Sequence, residues 1–114
     1  MSDDITQNRL KGTYSATFPG LMVFEVITPG DITGLRVTSQ AVPLGGDVVF
    51  DLNVNGVSVW VDPGDRLKIL EEDATGEDMT LSEAVVKGDI ISVDLDSTPS
   101  AIGGSLFITV IITP

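Results

Sequence analysis

Between residues 46 and 62 the chain alternates. Val48, Phe50, Leu52 and Val54 fall on one side, and Val49, Asp51 and Asn53 on the other. A period of two is the mark of a strand with one buried face. Asn55-Gly56 follows. Both residues tolerate positive φ, so the pair predicts a two-residue type I′ hairpin turn. That loop sets Val54 opposite Val57, Leu52 opposite Val59 and Phe50 opposite Val61. One face is then apolar across both strands, and the other carries Val49, Asp51, Asn53, Ser58, Trp60 and Asp62. A three-residue loop would slip the register and move Trp60 to the apolar face. The two-residue loop aligns every valine and is the expectation.

The same alternation predicts further strands. Residues 21–28 place Met22, Phe24 and Val26 on one face, and Pro29-Gly30-Asp31 reads as a turn. Residues 32–40 point Leu35 and Val37 inward, with Gly34 marking either a bulge or a weak start. Residues 66–70 form a short strand through Leu67 and Ile69, and 90–96 one through Ile91, Val93 and Leu95. Residues 81–86 are either a short strand or a turn of helix. The acidic run 71–80 has no period and reads as an exposed, mobile loop. The last strand, 106–112, is apolar on both faces, which suits a central strand or one covered by another subunit. Residues 1–19 have no sustained period and read as an irregular N-terminal arm. The alternative for the arm is ordering on a neighbouring subunit or partner, anchored by Leu10, Tyr14 and Phe18.

About seven or eight short strands joined by frequent turns predict an all-β fold. It is a single antiparallel β-sandwich, or jelly-roll-like domain, over 20–114, preceded by the irregular arm 1–19. The predicted core is Phe24, Val26, Val37, Val48, Phe50, Leu52, Val54, Val57, Val59, Leu67, Ile69, Ile91, Val93, Leu95, Ile108 and Val110.

Composition narrows the function. With 114 residues, one core without cross-links is expected. There are no cysteines and no histidines, which removes disulfides, thiolate sites, the usual general base and the usual transition-metal ligand. The net charge of −11, from 17 acidic and 6 basic residues, argues against nucleic acid and against an anionic membrane surface. The polar N-terminus is not a signal peptide, and no apolar run reaches a membrane span, so synthesis in the cytosol is expected.

Three features carry candidate chemistry. Asp94 and Asp96 share one strand face about 6–7 Å apart, a spacing that would suit glycoside hydrolysis or calcium ligation. Nothing supplies the remaining ligands, so a solvated strand face is the simpler reading. Trp60, the single tryptophan, is expected on the polar face beside Asp51, where an aromatic stacks a sugar ring or anchors an interface. Phe107 and Ile111, on the second apolar face of the last strand, need cover and point to self-association. No catalytic, cofactor or metal-binding residues are assigned, and the chain is read as non-enzymatic.

The run FDLNVNGVSVW, a Pro-containing turn with LKI, then GDIISVDLD and GGSLFITVII, resembles a β-sandwich module recurrent in tailed-bacteriophage virion proteins. The matching positions are Phe50-Asp51, Asn55-Gly56, Ser58, Trp60, Gly88-Asp89, Val93 to Asp96, and 104–112. The loop STPSAIGG and the acidic run at Glu71 depart from the pattern. The resemblance covers residue 21 to the C-terminus and implies a virion part with no catalytic residues to transfer. From its size as a single domain beginning at Met1, the expected role is a capsid decoration, or cement, protein on the phage head surface. The major capsid protein is the expected partner, and a homotrimer the expected assembly. The alternative is a tail or receptor-binding module that recognises a cell-surface glycan. The interface residues expected on either reading are Leu10, Tyr14, Phe18, Trp60, Phe107 and Ile111.

Overall fold

A computed structural model of the chain describes residues 4–11, 22–40, 46–97 and 105–114. The strands are β1 (Asp4–Lys11), β2 (Met22–Glu25), β3 (Gly30–Ser39), β4 (Val48–Val54), β5 (Val57–Ser58), β6 (Leu67–Ile69), β7 (Thr75–Asp78), β8 (Glu83–Val85), β9 (Ile90–Ser97) and β10 (Ser105–Thr113). A single turn of 3₁₀ helix, Pro63–Asp65, precedes β6, with Asp62 as its cap.

Two five-stranded sheets pack face to face. One runs β1-β10-β3-β7, with β8 also on β3; the other runs β2-β9-β4-β5, with β6 also on β4. All these pairings are antiparallel. Apart from the runs β4-β5-β6 and β7-β8, successive strands pass from one sheet to the other, and β10 inserts between β1 and β3 as β9 inserts between β2 and β4. This is the strand order of a jelly roll, with two of its eight positions each divided into a pair of short segments. The all-β sandwich expected from the pattern is the fold.

Between the sheets, Val48, Phe50, Leu52, Ile69, Ile91 and Val93 meet Ile32, Leu35, Val37, Leu106, Ile108 and Val110, all fully buried. The alternation holds where it was clearest. Of the predicted core, Phe24, Val54 and Val59 are partly buried against it. Val57 is a correction, being 69% exposed. It pairs with Val54 as expected, but at the hairpin tip, past the end of the core. Ile32, Leu35, Leu106 and Ile112 belong to the core in addition, as do Met22, Val85 and Trp60.

Two further expectations change. Asp4–Lys11 is no irregular arm: it is β1, hydrogen-bonded along the length of β10, with Arg9 opposite Phe107 and Leu10 opposite Leu106. The central strand has two edges to satisfy; β3 takes one and β1 the other. Within the acidic run, Thr75–Asp78 is β7, paired with Leu35 to Thr38. The stretch 81–86 resolves as the strand β8 on the start of β3. Of the two readings of Gly34, the bulge is the one present: Ile111 pairs with Gly34 and Ile112 with Ile32, so Thr33 is the extra residue.

Candidate functional site

The hairpin turns as its sequence requires. Asn55 has φ 52° and Gly56 φ 84°, the two positive values of a type I′ turn. Its tip does not stand free. The Asn55 backbone N–H donates to the Ile90 carbonyl at 2.7 Å, and its side-chain oxygen accepts from the Ile90 N–H at 2.9 Å. Its side-chain nitrogen donates to Asp89 Oδ1 at 3.0 Å. Asp89 Oδ2 accepts from the Val86 N–H at 2.9 Å. The Val86 N–H, then the Asn55 amide, hold the Asp89 carboxyl below its ordinary pKa, against slight desolvation. This clasp also reaches β2, because the Val26 N–H donates to the Asp89 carbonyl and the Gly88 N–H to the Val26 carbonyl.

The outer face of the second sheet carries a polar network. Asp51 and Asp94 are register partners on β4 and β9, and like charges directly opposite repel. Each is offset. Ser58 Oγ donates to Asp51 Oδ1 at 2.6 Å, and Asn53 Nδ2 to Asp94 Oδ2 at 2.7 Å. Arg66 reaches Asp96 at 2.8 Å and Asp51 at 3.5 Å. The bond to Asp96 raises the Arg66 pKa; desolvation opposes it, and the charges of Asp51 and Asp96 add. A bulge in β9 lets Asp96 reach Arg66, since Phe50 pairs with Leu95 but Val49 with Ser97. Asp94 and Asp96 thus answer to different partners. Among the described residues no acidic group is arranged to hold a metal ion.

Trp60 is the second correction. The two-residue loop is right, yet Trp60 is 8% exposed and part of the core. Pairing of β5 with β4 stops at Ser58, and the Val59 N–H makes the last hairpin bond, to the Leu52 carbonyl. The chain then leaves the sheet, so Phe50 pairs with Leu67 rather than Val61. Ser58, not Trp60, lies beside Asp51. The indole N–H instead donates to Asp78 Oδ2 at 3.1 Å, joining the β5 side of one sheet to β7 of the other. Asp78 Oδ1 accepts from the Thr80 N–H at 2.9 Å and hydroxyl at 2.5 Å. Burial alone would raise the Asp78 pKa; the two Thr80 bonds and the indole outweigh it and hold it lowered. A buried indole offers no ring face for a sugar, so of the two features behind the glycan reading, Trp60 and the outward carboxylates, the first is lost.

The remaining expected interface residues are scattered. Phe107 is 42% exposed on the outer face of the first sheet. Ile111 is half-buried there and borders Gly34, which Met79 also covers. Leu10 lies in β1; Tyr14 and Phe18 lie outside the described residues. Ile27, Val86 and Ile90, none of them among the expected interface residues, are exposed large apolar side chains. With Val57 they flank the clasp: Ile27 follows Val26, Val57 follows Gly56, and Val86 and Ile90 supply bonds to it. At the far end of the same sheet lie Asp47, Glu71, Glu72 and Asp73, where Asp47 accepts from the Glu71 N–H at 2.9 Å. Alternation sets Ile27 and Ile90 on the face opposite buried Val26 and Ile91, Val57 pairs at the hairpin tip, and Val86 lies just past the end of β8.

No known protein family matches the chain, and no curated protein sequence does. Solved structures are similar at a low level. The Aeromonas sobria serine protease, in complex with its chaperone, matches at 10% identity and TM-score 0.47 over 100% of this chain. The chain spans 28% of that protease's length. A chain of the cyanophage Pam1 capsid asymmetric unit matches at 14% identity and TM-score 0.44, over 99% of this chain and 84% of the other. The Podospora anserina GH26-CBM35 β-(1,4)-mannanase matches at 10% identity and TM-score 0.46, over 98% of this chain and 28% of the other. Likeness at this level assigns neither a family nor an activity.

Proposed function

We propose that the chain is a non-enzymatic virion structural protein, a capsid decoration module that docks by the clasp end of its sandwich. The observation that carries this reading is the polarity of the second sheet along its length. Ile27, Val57, Val86 and Ile90 are exposed around the clasp, while the other end carries a single exposed large apolar side chain among its described residues, Leu70, beside Asp47 and Glu71 to Asp73. Monomers rarely leave apolar side chains gathered in this way without a partner for them. Charged groups are depleted at the centre of protein interfaces and tolerated at their rims. The acidic end therefore faces water and the apolar end faces the shell. The hairpin, Gly-Asp turn and glycine-led last strand that resemble phage virion modules support the same reading, and jelly rolls serve viral capsids among other uses.

The partner on this reading is the major capsid protein, and the location is the head surface. Co-sedimentation with purified capsids tests it. Wild type is expected to pellet with them, and the double variant Ile27→Ser, Val86→Ser to stay in the supernatant while melting like wild type. Equal pelleting of the two proteins would rule out the clasp end as the docking surface. Wild type that binds tails and not heads in electron micrographs of labelled virions would overturn the head assignment.

A further inference from the structure

We infer that Asn55-Gly56 is a covalent modification site, a spontaneous deamidation point whose rate is set by the Asp89 clasp. The chemistry needs only the chain and water. The backbone nitrogen of Gly56 loses its proton to base and bonds to Asn55 Cγ. The Cγ–Nδ2 bond breaks, and Nδ2 leaves as ammonia after taking up a proton. One water then opens the five-membered imide at either carbonyl, leaving aspartate or isoaspartate at position 55. Amide plus water becomes carboxylate plus ammonium, with no oxidant or reductant required. Glycine favours the attack because no side chain shields its nitrogen; Gly56 has open space where a Cβ would stand.

The folded geometry holds this reaction back. Attack requires the Asn55 side chain to swing onto the Gly56 nitrogen. Both ends of its amide are instead engaged across the turn, the oxygen by the Ile90 N–H at 2.9 Å and the nitrogen by Asp89 at 3.0 Å. Asp89 is fixed in turn by the Val86 N–H. Two bonds must open together before Cγ can turn, so the reaction passes through a local opening of the tip. The product closes less readily. A carboxylate at position 55 would replace the donor nitrogen and meet the Asp89 carboxylate at the same short distance. Modification therefore shifts the tip toward its open form, in which the Ile90 N–H that the Asn55 side chain had capped is left to water.

The test is peptide-resolved mass spectrometry of the purified full chain aged in mildly alkaline buffer. The readouts are a gain of about one mass unit at position 55 and isoaspartate content. Folded wild type is expected to react at least about tenfold more slowly than the same chain held in urea. Asp89→Ala should react about tenfold faster than wild type while still folded. Should that variant not fold, Asp89→Asn keeps an acceptor for the Asn55 amide without the charge, and an intermediate rate is expected. Ile69→Val, which loosens the core and leaves the clasp intact, should age like wild type. Folded wild type reacting as fast as the chain in urea would overturn the inference. So would an Asp89→Ala rate no higher than wild type, or an equal acceleration in Ile69→Val.

Discussion

Two residues hold positions that their side chains, or lack of one, make testable. Gly56 at φ 84° has nothing near its missing Cβ, so any substitution there meets backbone strain alone and no clash. A β-branched residue is the worst case in that region. Gly56→Val is expected to cost about 1–2 kcal/mol in urea unfolding; a melt equal to wild type would mean the turn is not type I′ in solution. Asp78 makes a pH prediction. Its pKa is lowered in the folded state, so its bonds to Trp60 and Thr80 stabilise the fold fully above the ordinary carboxylate value. That contribution is lost as pH falls through the depressed folded value. Wild type should therefore lose stability on acidification below about pH 4. Asp78→Ala should be less stable at neutral pH by about 1–3 kcal/mol, because the buried indole N–H is left unpaired, and its acid slope should be shallower. Trp60 fluorescence reports both. An unchanged slope would show that other carboxylates carry the acid sensitivity.

The strands beside the core meet at one unusually close point. A Cβ on Gly76 would run into the Lys68 carbonyl, so β7 of one sheet lies against the backbone of β6 of the other. Gly76→Ala must part them, and overpacking of this kind costs about 1–3 kcal/mol. Thermal melts of Gly76→Ala and of Gly64→Ala, a glycine in an exposed turn, should separate clearly; equal melts would argue that the two edges are not in contact. This closeness also explains what the sequence could show of each element. β4 and β9 were legible because each buries one face and exposes the other. β7, TGED, has no apolar alternation at all: it is a strand because β3 offers it an edge, because glycine fits against Lys68 and because Asp78 receives Trp60. β1 is similar, with polar residues whose strand state is supplied by β10. Trp60 was misplaced for a related reason. Periodicity predicts its face only while the strand continues, and β5 ends at Ser58. The Asn55–Asp89 clasp joins residues far apart in the chain. The turn signals at both places were visible, but their contact was not.

At the scale of the molecule, the expectation of a trimer meets a smaller apolar surface than the sequence suggested. β1 lies edge to edge with β10 and pairs with its backbone, and Phe107 remains 42% exposed on the sheet's outer face. Ile111 is already half-covered beside Met79. Around Phe107 the described charges are nearly balanced, since Arg36 is ion-paired with Glu77. A contact there escapes most of the repulsion that a net charge of −11 imposes elsewhere. Burying what remains exposed of Phe107 is worth about 1 kcal/mol per subunit, while association costs an estimated 4–15 kcal/mol or more. Phe107 alone therefore cannot hold a tight trimer in dilute solution. We expect weak, concentration-dependent self-association that strengthens with salt as the acidic surfaces are screened. Docked on a shell, neighbouring copies would be held close, and the same contact would suffice. Sedimentation velocity from micromolar concentrations upward checks this. Wild type should shift to larger species with concentration, and Phe107→Ser should need several-fold more protein for the same shift. A wild type that stays monomeric at every concentration and salt, or a Phe107→Ser that behaves identically, would remove this face from the proposed assembly.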